Sequence, residues 1–308
     1  MRTLCLGEAL VDLVCERPVA SLADADRFAA HCGGAVANAA VAAARCGADV
    51  ALAGGVGDDP WGAWLERRLQ REGVDLRWFN RVPGSPTPLA FVTVDTDGEP
   101  HFTVYGQSIP ATMRSTETVL EEAVEACDAL FFGSNTLVGP EERAITLLAR
   151  ELALGAGKPV LFDPNLRLHR WPDPEQAIGQ VLSSCEGAAL LKVNHDEAAA
   201  LTGKRDPGAA AEALRAAGAE TVVVTLGADG ALARGEVTTA VGGVPVRPVD
   251  TTGAGDVVAG ILIAALEASD YAPVAIESAL AFAVEAASRS TEGWGAIDAL
   301  PDRMPVFA

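Results

Sequence analysis

This chain is short of positive charge, aromatic rings and the sequence signatures of several large functional classes. Lys and Arg number 23 against 42 Asp and Glu, a formal net charge of -19 over 308 residues. That balance argues against nucleic acid and anionic membrane as partners. It does not bear on small anionic ligands, because a local nest of backbone amides can reverse the field. Aromatic residues make up 5% of the sequence, so an acceptor stacked on several rings has few to use. The most useful apolar run, Val257 to Leu266, is about half of the ~20 residues a membrane span needs. No GxxxxGK[ST] loop occurs, and neither does a GxGxxG fingerprint, since Val258 stands where its third glycine would fall. A nicotinamide-dependent dehydrogenase is therefore excluded as a reading.

Metal and disulfide frameworks are missing as well. The six cysteines (Cys5, Cys15, Cys32, Cys46, Cys127, Cys185) form no CxxC pair, and the four histidines form no HExxH. Scattered thiols in a chain of this length read as reduced and buried, in a cytoplasmic protein. The first residues reach Glu8, Asp12 and Glu16 quickly, too polar for a secretory leader. With 49% hydrophobic residues the chain can bury a sizeable core, and residues 1–308 are expected to form one domain.

The pattern that is present alternates. Short apolar runs at Thr3–Leu6, Val50–Ala53, Ala129–Phe132, Pro159–Phe162, Leu190–Val193, Thr221–Thr225 and Ala231–Arg234 read as strands. Helical segments are expected at Ala35–Arg45, Trp61–Glu72, Glu141–Gly155, Asp196–Leu201, Gly208–Ala217, Val257–Glu267 and Val274–Ser288. Such alternation predicts an α/β fold, a mainly parallel sheet covered on both faces. Ala90–Val94 and His101–Tyr105 have period two around an Asp97-Gly98 turn, a β-hairpin outside that scheme.

The segment with the clearest chemistry is Asp250-Thr251-Thr252-Gly253-Ala254-Gly255-Asp256, directly ahead of an apolar helix. Its glycines let a ligand approach the backbone, and helix-terminal amides with the macrodipole form an anion site. Asp256 stands beside that site, where a carboxylate can accept a proton from an alcohol.

This heptapeptide resembles the C-terminal motif of ribokinase-like (PfkB-type) sugar kinases. Gly33-Gly34-Ala35-Val36-Ala37-Asn38 is similar to the family's N-terminal GGxxxN segment. Gly7–Asp12, Asp163–Arg167, Asn194–Glu197 and Thr225–Gly230 complete the series, so the resemblance spans residue 3 to about residue 301. It implies a three-layer α/β/α sandwich with a small β-sheet lid, drawn from segments within about 13–30 and 86–108. It implies ATP and Mg²⁺ as the phosphoryl donor system. Asp256 is then the catalytic base, with Gly253, Ala254 and Gly255 supplying amides to the transferred phosphate. Asp12, Gly33, Gly34, Asn38, Arg167 and Tyr105 are expected at the sugar. Asn194, Thr225, Gly227, Gly230 and Lys192 are expected at the nucleotide, and Glu197 near Mg²⁺ through water. Asp250 and Thr252 resemble residues beside a monovalent-cation (K⁺) site of some relatives. The stretch Ser288–Ala296 departs from the family pattern and leaves the adenine wall open. A homodimer through the lid is expected.

Within the family the Gly7–Leu13 and Asp163–Arg167 segments look most like fructokinases and 2-keto-3-deoxygluconate kinases. Gly106 stands where both often carry Arg, which favours a neutral sugar, a ketose such as fructose, over an acid sugar. Ribose or nucleoside kinases of the same fold, and a catalytically silent sugar-binding regulator, are the alternatives.

Overall fold

The computed structural model describes residues 2–304. Its strands begin with β1 (Thr3–Leu6), β2 (Leu10–Pro18), β3 (Ala29–Gly33), β4 (Val50–Gly57), β5 (Phe79–Val82), β6 (Leu89–Val94) and β7 (Pro100–Tyr105). They continue with β8 (Ala129–Gly133), β9 (Val160–Asp163), β10 (Leu190–Asn194), β11 (Thr221–Thr225), β12 (Ala231–Arg234) and β13 (Thr239–Val241). The helices are α1 (Ala35–Arg45), α2 (Pro60–Arg71), α3 (Ile109–Arg114), α4 (Leu120–Ala126) and α5 (Pro140–Gly155), then α6 (Pro174–Cys185), α7 (His195–Thr202), α8 (Pro207–Ala216), α9 (Ala254–Ala268) and α10 (Val274–Ser290).

Alternation within each strand decides the layers. Phe131 of β8 joins the core formed with α1, α9 and α10, whereas Leu130 and Phe132 join the opposite core with α5, α6, α7 and α8. β1 divides in the same way, with Cys5 on one side and Leu4 and Leu6 on the other. Phe132 stacks on Phe162 of the neighbouring strand at 4.6 Å. Burying each such side chain contributes roughly 1.5–3 kcal/mol, enough to hold the register against a one-residue slip. The result is a nine-stranded sheet in the order β13-β12-β11-β10-β9-β8-β1-β4-β5, parallel from β11 to β5, between two helical layers. β12 and β13 are antiparallel additions at one edge.

A second sheet, β3-β2-β6-β7, stands apart from the first. β2 and β3 are antiparallel, as are β6 and β7, with β2 and β6 parallel between them. Leu10, Val14, Ala90 and Val92 form its own small core, against which Phe102, Val104 and Trp294 pack.

Three of the boundaries that differ from the sequence reading bear on the site. β4 runs on through Gly54-Gly55-Val56-Gly57, past its expected end at Ala53. A side chain at Gly54 would collide with the Gly7 carbonyl, so strand pairing there depends on small residues. α9 begins at Ala254, three residues early, which brings Gly255 and Asp256 into its first turn. The second sheet starts at Leu10 and closes at Gly33, so it includes Asp12. β3, β5, β13, α3, α4 and α6 were not anticipated. All six cysteines are free and buried. Among the described residues no helix is long and apolar enough to cross a membrane.

Candidate active site

The carboxyl ends of the central strands open into a cleft facing the inner side of the second sheet, the usual ligand position in such sheets. Two cavities share it. One of about 690 Å³ lies between those strand ends and Leu10, Asp12, Ala90, Phe102 and Val104 of the second sheet. The other, of about 570 Å³, is walled mainly by Val244, Pro245, Val246, Pro248, Val258, Val284 and Ala287. They meet at Glu99, Thr225, Gly227, Thr251 and Gly255, beside the start of α9.

That meeting point is built by backbone conformation. Gly253 has φ +74°, a left-handed cap that turns the chain into α9, and no side chain caps the amides behind it. Ala254 is an exception to the sequence expectation, because its amide donates to the Thr251 carbonyl at 3.3 Å and closes the turn. Gly255 is required for a different reason: a Cβ there would sit 2.7 Å from Lys192 Nζ. The ammonium therefore lies against the helix start and adds its charge to the dipole. Lys192 is buried and donates to Asp163 Oδ2 at 2.9 Å. Burial opposes its charge, but Asp163 and Glu197 outweigh that and hold its pKa above the ordinary value.

Asp256 is 5% exposed. Asn38 Nδ2 donates to one of its oxygens at 2.9 Å, and Asn165 Nδ2 to the other at 2.9 Å. Asn165 reaches it from a left-handed conformation (φ 43°), stabilised where its amide donates to Asp163 Oδ1. Burial is the main force on Asp256 and lifts its pKa to about 7, with the Asp163 charge adding and Asn38 opposing. A carboxylate with that pKa is a competent proton acceptor near neutral pH.

Asp12 stands across the larger cavity, also buried and also raised to about 7, first by desolvation and then by the Asp256 charge. A side chain on Gly33 would run into its carboxylate, so Gly33 makes room for Asp12 rather than lining the cavity. Gly34, Asn38 and Arg167 do line it. The Arg167 guanidinium lies 5.9 Å over the Phe102 ring. Tyr105 does not line it. Along β7, Phe102 and Val104 face the cavity, so Tyr105 points outward, half exposed, and meets Phe91 edge-on at 5.9 Å. The period-two alternation of the hairpin, applied to Phe102, would have excluded Tyr105.

Asn194 and Glu197 form a reciprocal capping box: Asn194 Oδ1 accepts from the Glu197 amide and Glu197 Oε2 from the Asn194 amide, both at 2.8 Å. Glu197 Oε1 accepts from the Leu166 amide at 2.6 Å, so this carboxylate ties the loop after β9 to the start of α7. Asp250 is fully buried and accepts from the amides of Thr252 and Gly295, each at 2.9 Å. The unusual 290–296 stretch thus braces the Asp250–Asp256 loop, and its Trp294 packs on the second sheet. Gly230 lines the apolar cavity alone, whereas Thr225 and Gly227 border both.

Several residues in the cleft escaped the sequence reading. Asn165 was passed over within its motif, and Glu8, Asn135, His169 and Arg170 line the larger cavity. Their signal was position, each following a strand at its carboxyl end. The hairpin tip was also missed: the Gly98 carbonyl accepts from the Thr251 amide at 2.9 Å, joining the second sheet to the loop before α9.

A buried carboxylate with a raised pKa, an uncapped helix start and a buried lysine beside it, where a polar cavity meets an apolar one, suit the transfer of an anionic group to an alcohol. The model of the pfkB family of carbohydrate kinases matches residues 2–303, and the chain belongs to that family. It is a sugar kinase, a phosphotransferase. Probable fructokinase-7 of Arabidopsis thaliana is 36% identical over 307 residues, covering 97% of this chain and 89% of the relative. A fructokinase of Vibrio cholerae O395, solved as a double mutant with fructose, ADP and potassium ion bound, superposes with a TM-score of 0.84 at 30% identity, over 97% of this chain and 95% of that one. A sugar kinase of Pyrococcus horikoshii in complex with ATP gives 0.83 at 28% identity, over 98% and 95%.

Proposed function

We propose that this enzyme transfers the γ-phosphate of ATP to a primary hydroxyl of a neutral ketose, with fructose as the first candidate. The observation that carries the reading is Asp256, a buried carboxylate with pKa about 7 at the bare start of α9, where the two cavities meet. The apolar cavity suits an adenine, and the amides of Gly253 and Gly255 with Lys192 suit the phosphates between the cavities. Asp12, Gly34, Asn38 and Arg167 face the acceptor.

In the transfer, Asp256 takes the hydroxyl proton as the sugar oxygen bonds to the γ-phosphorus and ADP departs. Asn38 and Asn165 hold the carboxylate in place. The helix-start amides and Lys192 stabilise the charge on the transferred group. Inward-facing Phe102 and Val104 exclude water, so the second sheet acts as a lid and suppresses hydrolysis.

Among the described residues no cluster of three His, Cys, Asp or Glu could hold a metal. Both Glu197 oxygens are occupied by backbone amides. This donor set fits Mg²⁺ carried by the nucleotide's own phosphates and water, with Glu197 and Asn194 nearby. Bound there, Mg²⁺ supplies charge neutralisation of the phosphates. The buried Thr252 Oγ1 has no partner, which supports a monovalent cation such as K⁺ beside Asp250 and Thr252.

Phe28, Phe91 and Tyr105 form an edge-to-face aromatic cluster on the outer side of the lid, which supports a homodimer through that sheet in a cytoplasmic enzyme. A coupled ADP-release screen with fructose, ribose, 2-keto-3-deoxygluconate and nucleosides tests the substrate assignment. Fructose is expected to give the highest kcat/KM, and turnover confined to any other class overturns the reading.

A further inference from the structure

One corner of the larger cavity has no part in the transfer described above. Glu8 follows β1, Asn135 follows β8, and Arg170 ends a helical turn (Leu168–Arg170) after β9. These three strands are neighbours in the sheet, so their carboxyl ends bring together residues 127 and 35 positions apart. Arg170 Nη1 donates to Asn135 Oδ1 at 2.9 Å, and Asn135 Nδ2 donates to Glu8 Oε1 at 2.8 Å. The relay stops there. Glu8 is 2% exposed, and its second oxygen, Oε2, is buried with no hydrogen-bond partner.

A carboxylate oxygen buried without a donor is costly: burial raises the Glu8 pKa against the Glu8 and Ala35 amides, Asn135 and Arg170, and the residue lines the cavity whose occupant can bring a donor. Arg170 spends one N–H on Asn135 and keeps other donors at the same wall. All three residues line the polar cavity, with Asp12 and Asn38, and none lines the apolar one given to the adenine.

We propose that Glu8 and Arg170, bridged by Asn135, form a specificity subsite for a hydroxyl of the acceptor remote from the one phosphorylated. That hydroxyl donates to Glu8 Oε2 and accepts from Arg170. A neutral hydroxyl satisfies both groups at once. A sugar carboxylate offers no donor to Glu8 and meets its like charge, so the corner selects polyols over sugar acids. Asn135 is a positioning residue: it fixes the Glu8 carboxylate and spaces it from the Arg170 guanidinium.

The inference rests on the ketose reading, and the test separates the two. Fructose, 1-deoxyfructose and 6-deoxyfructose are compared in the ADP-release assay. One deoxy sugar lacks the attacking oxygen and yields no product, and the other lacks only the remote hydroxyl. Glu8→Gln replaces the unpartnered acceptor by a donor, and Arg170→Gln changes a half-buried side chain that is not part of a core.

Both variants are expected to lose about 10–100-fold in kcat/KM for fructose. They should lose less than about threefold for the reactive deoxy sugar, with the KM for ATP unchanged. A purely structural relay would lower both sugars in parallel, and that result overturns the inference while leaving the proposed function intact. If Glu8→Gln fails to fold, the Arg170→Gln ratio decides alone. A parent enzyme inert toward every ketose overturns both.

Discussion

Replacing Asp256 by Asn removes the proposed base while changing little of its volume. Loss of a general base lowers kcat by roughly 10²–10⁴-fold. The cradle formed by Gly253, Gly255 and Lys192 is untouched, so the KM for ATP should stay within about twofold. Stability should move the other way above neutral pH. A carboxyl raised from 3.8 to about 7 carries an ionisation cost of about 4 kcal/mol in the folded protein at pH 8. An amide at 256 has no such cost, but it can accept from only one of Asn38 and Asn165 as they stand, a loss of about 1 kcal/mol. The variant should therefore melt several degrees above the parent at pH 8, and the gap should close as the pH falls from 7 towards 4. In the parent, kcat/KM should rise with pH through an apparent value near 7. Asp12 and Asp256 feel each other's charge, so that value belongs to the pair. Stopped-time ADP release from pH 5 to 9 and thermal melts over the same range check both halves. Unchanged turnover would falsify the base assignment, and a variant that melts lower at pH 8 would refute the burial argument.

Gly33→Ala places a methyl group against the Asp12 carboxylate, so the sugar KM should rise about tenfold or more with the ATP KM unmoved, as initial rates will report. Gly255→Ala displaces Lys192 Nζ from the helix start, and the ATP KM should rise instead, with no loss of melting temperature because Ala favours the helix. His31 bonds to Asp298 and Glu16, with Arg68 on the far side of Asp298. Burial lowers its pKa, but the two carboxylates outweigh burial and raise it. The stability it adds is full below pH 6.5 and is lost as pH rises through the raised value. His31→Gln should remove that decline from the melting curve between pH 6 and 9, and an identical pH slope in the two proteins counts against the argument.

Where local chemistry and tertiary position coincide, the site was legible from the residues. Asp250–Asp256 carries its own glycines, cap and carboxylate, and only the first turn of α9 was placed late, because Gly253 to Asp256 had read as a loop. Asn194 with Glu197 three residues on has the spacing of a capping box, and the two form one. Tyr105 was placed at the sugar by resemblance, whereas the face of the hairpin that meets the cleft carries Phe102 and Val104. Gly33 was read as approaching the sugar, and the structure adds that a side chain there would meet the Asp12 carboxylate. β3 and β5 were missed because four or five residues with mixed burial leave little periodic signal.

The sequence by itself determined the alternating α/β order, the buried thiols, and the glycine-bearing helix start with Asp256 beside it. Each of these depends on residues within about one turn of one another or on a repeating apolar pattern. The tertiary structure decided which polar groups share the cleft. Asn38, Asn165 and Asp256 come from α1, the loop after β9 and α9, and Glu8, Asn135 and Arg170 from three adjacent strand ends. A parallel sheet places the carboxyl ends of distant strands about 5 Å apart, and that adjacency has no counterpart in the local pattern.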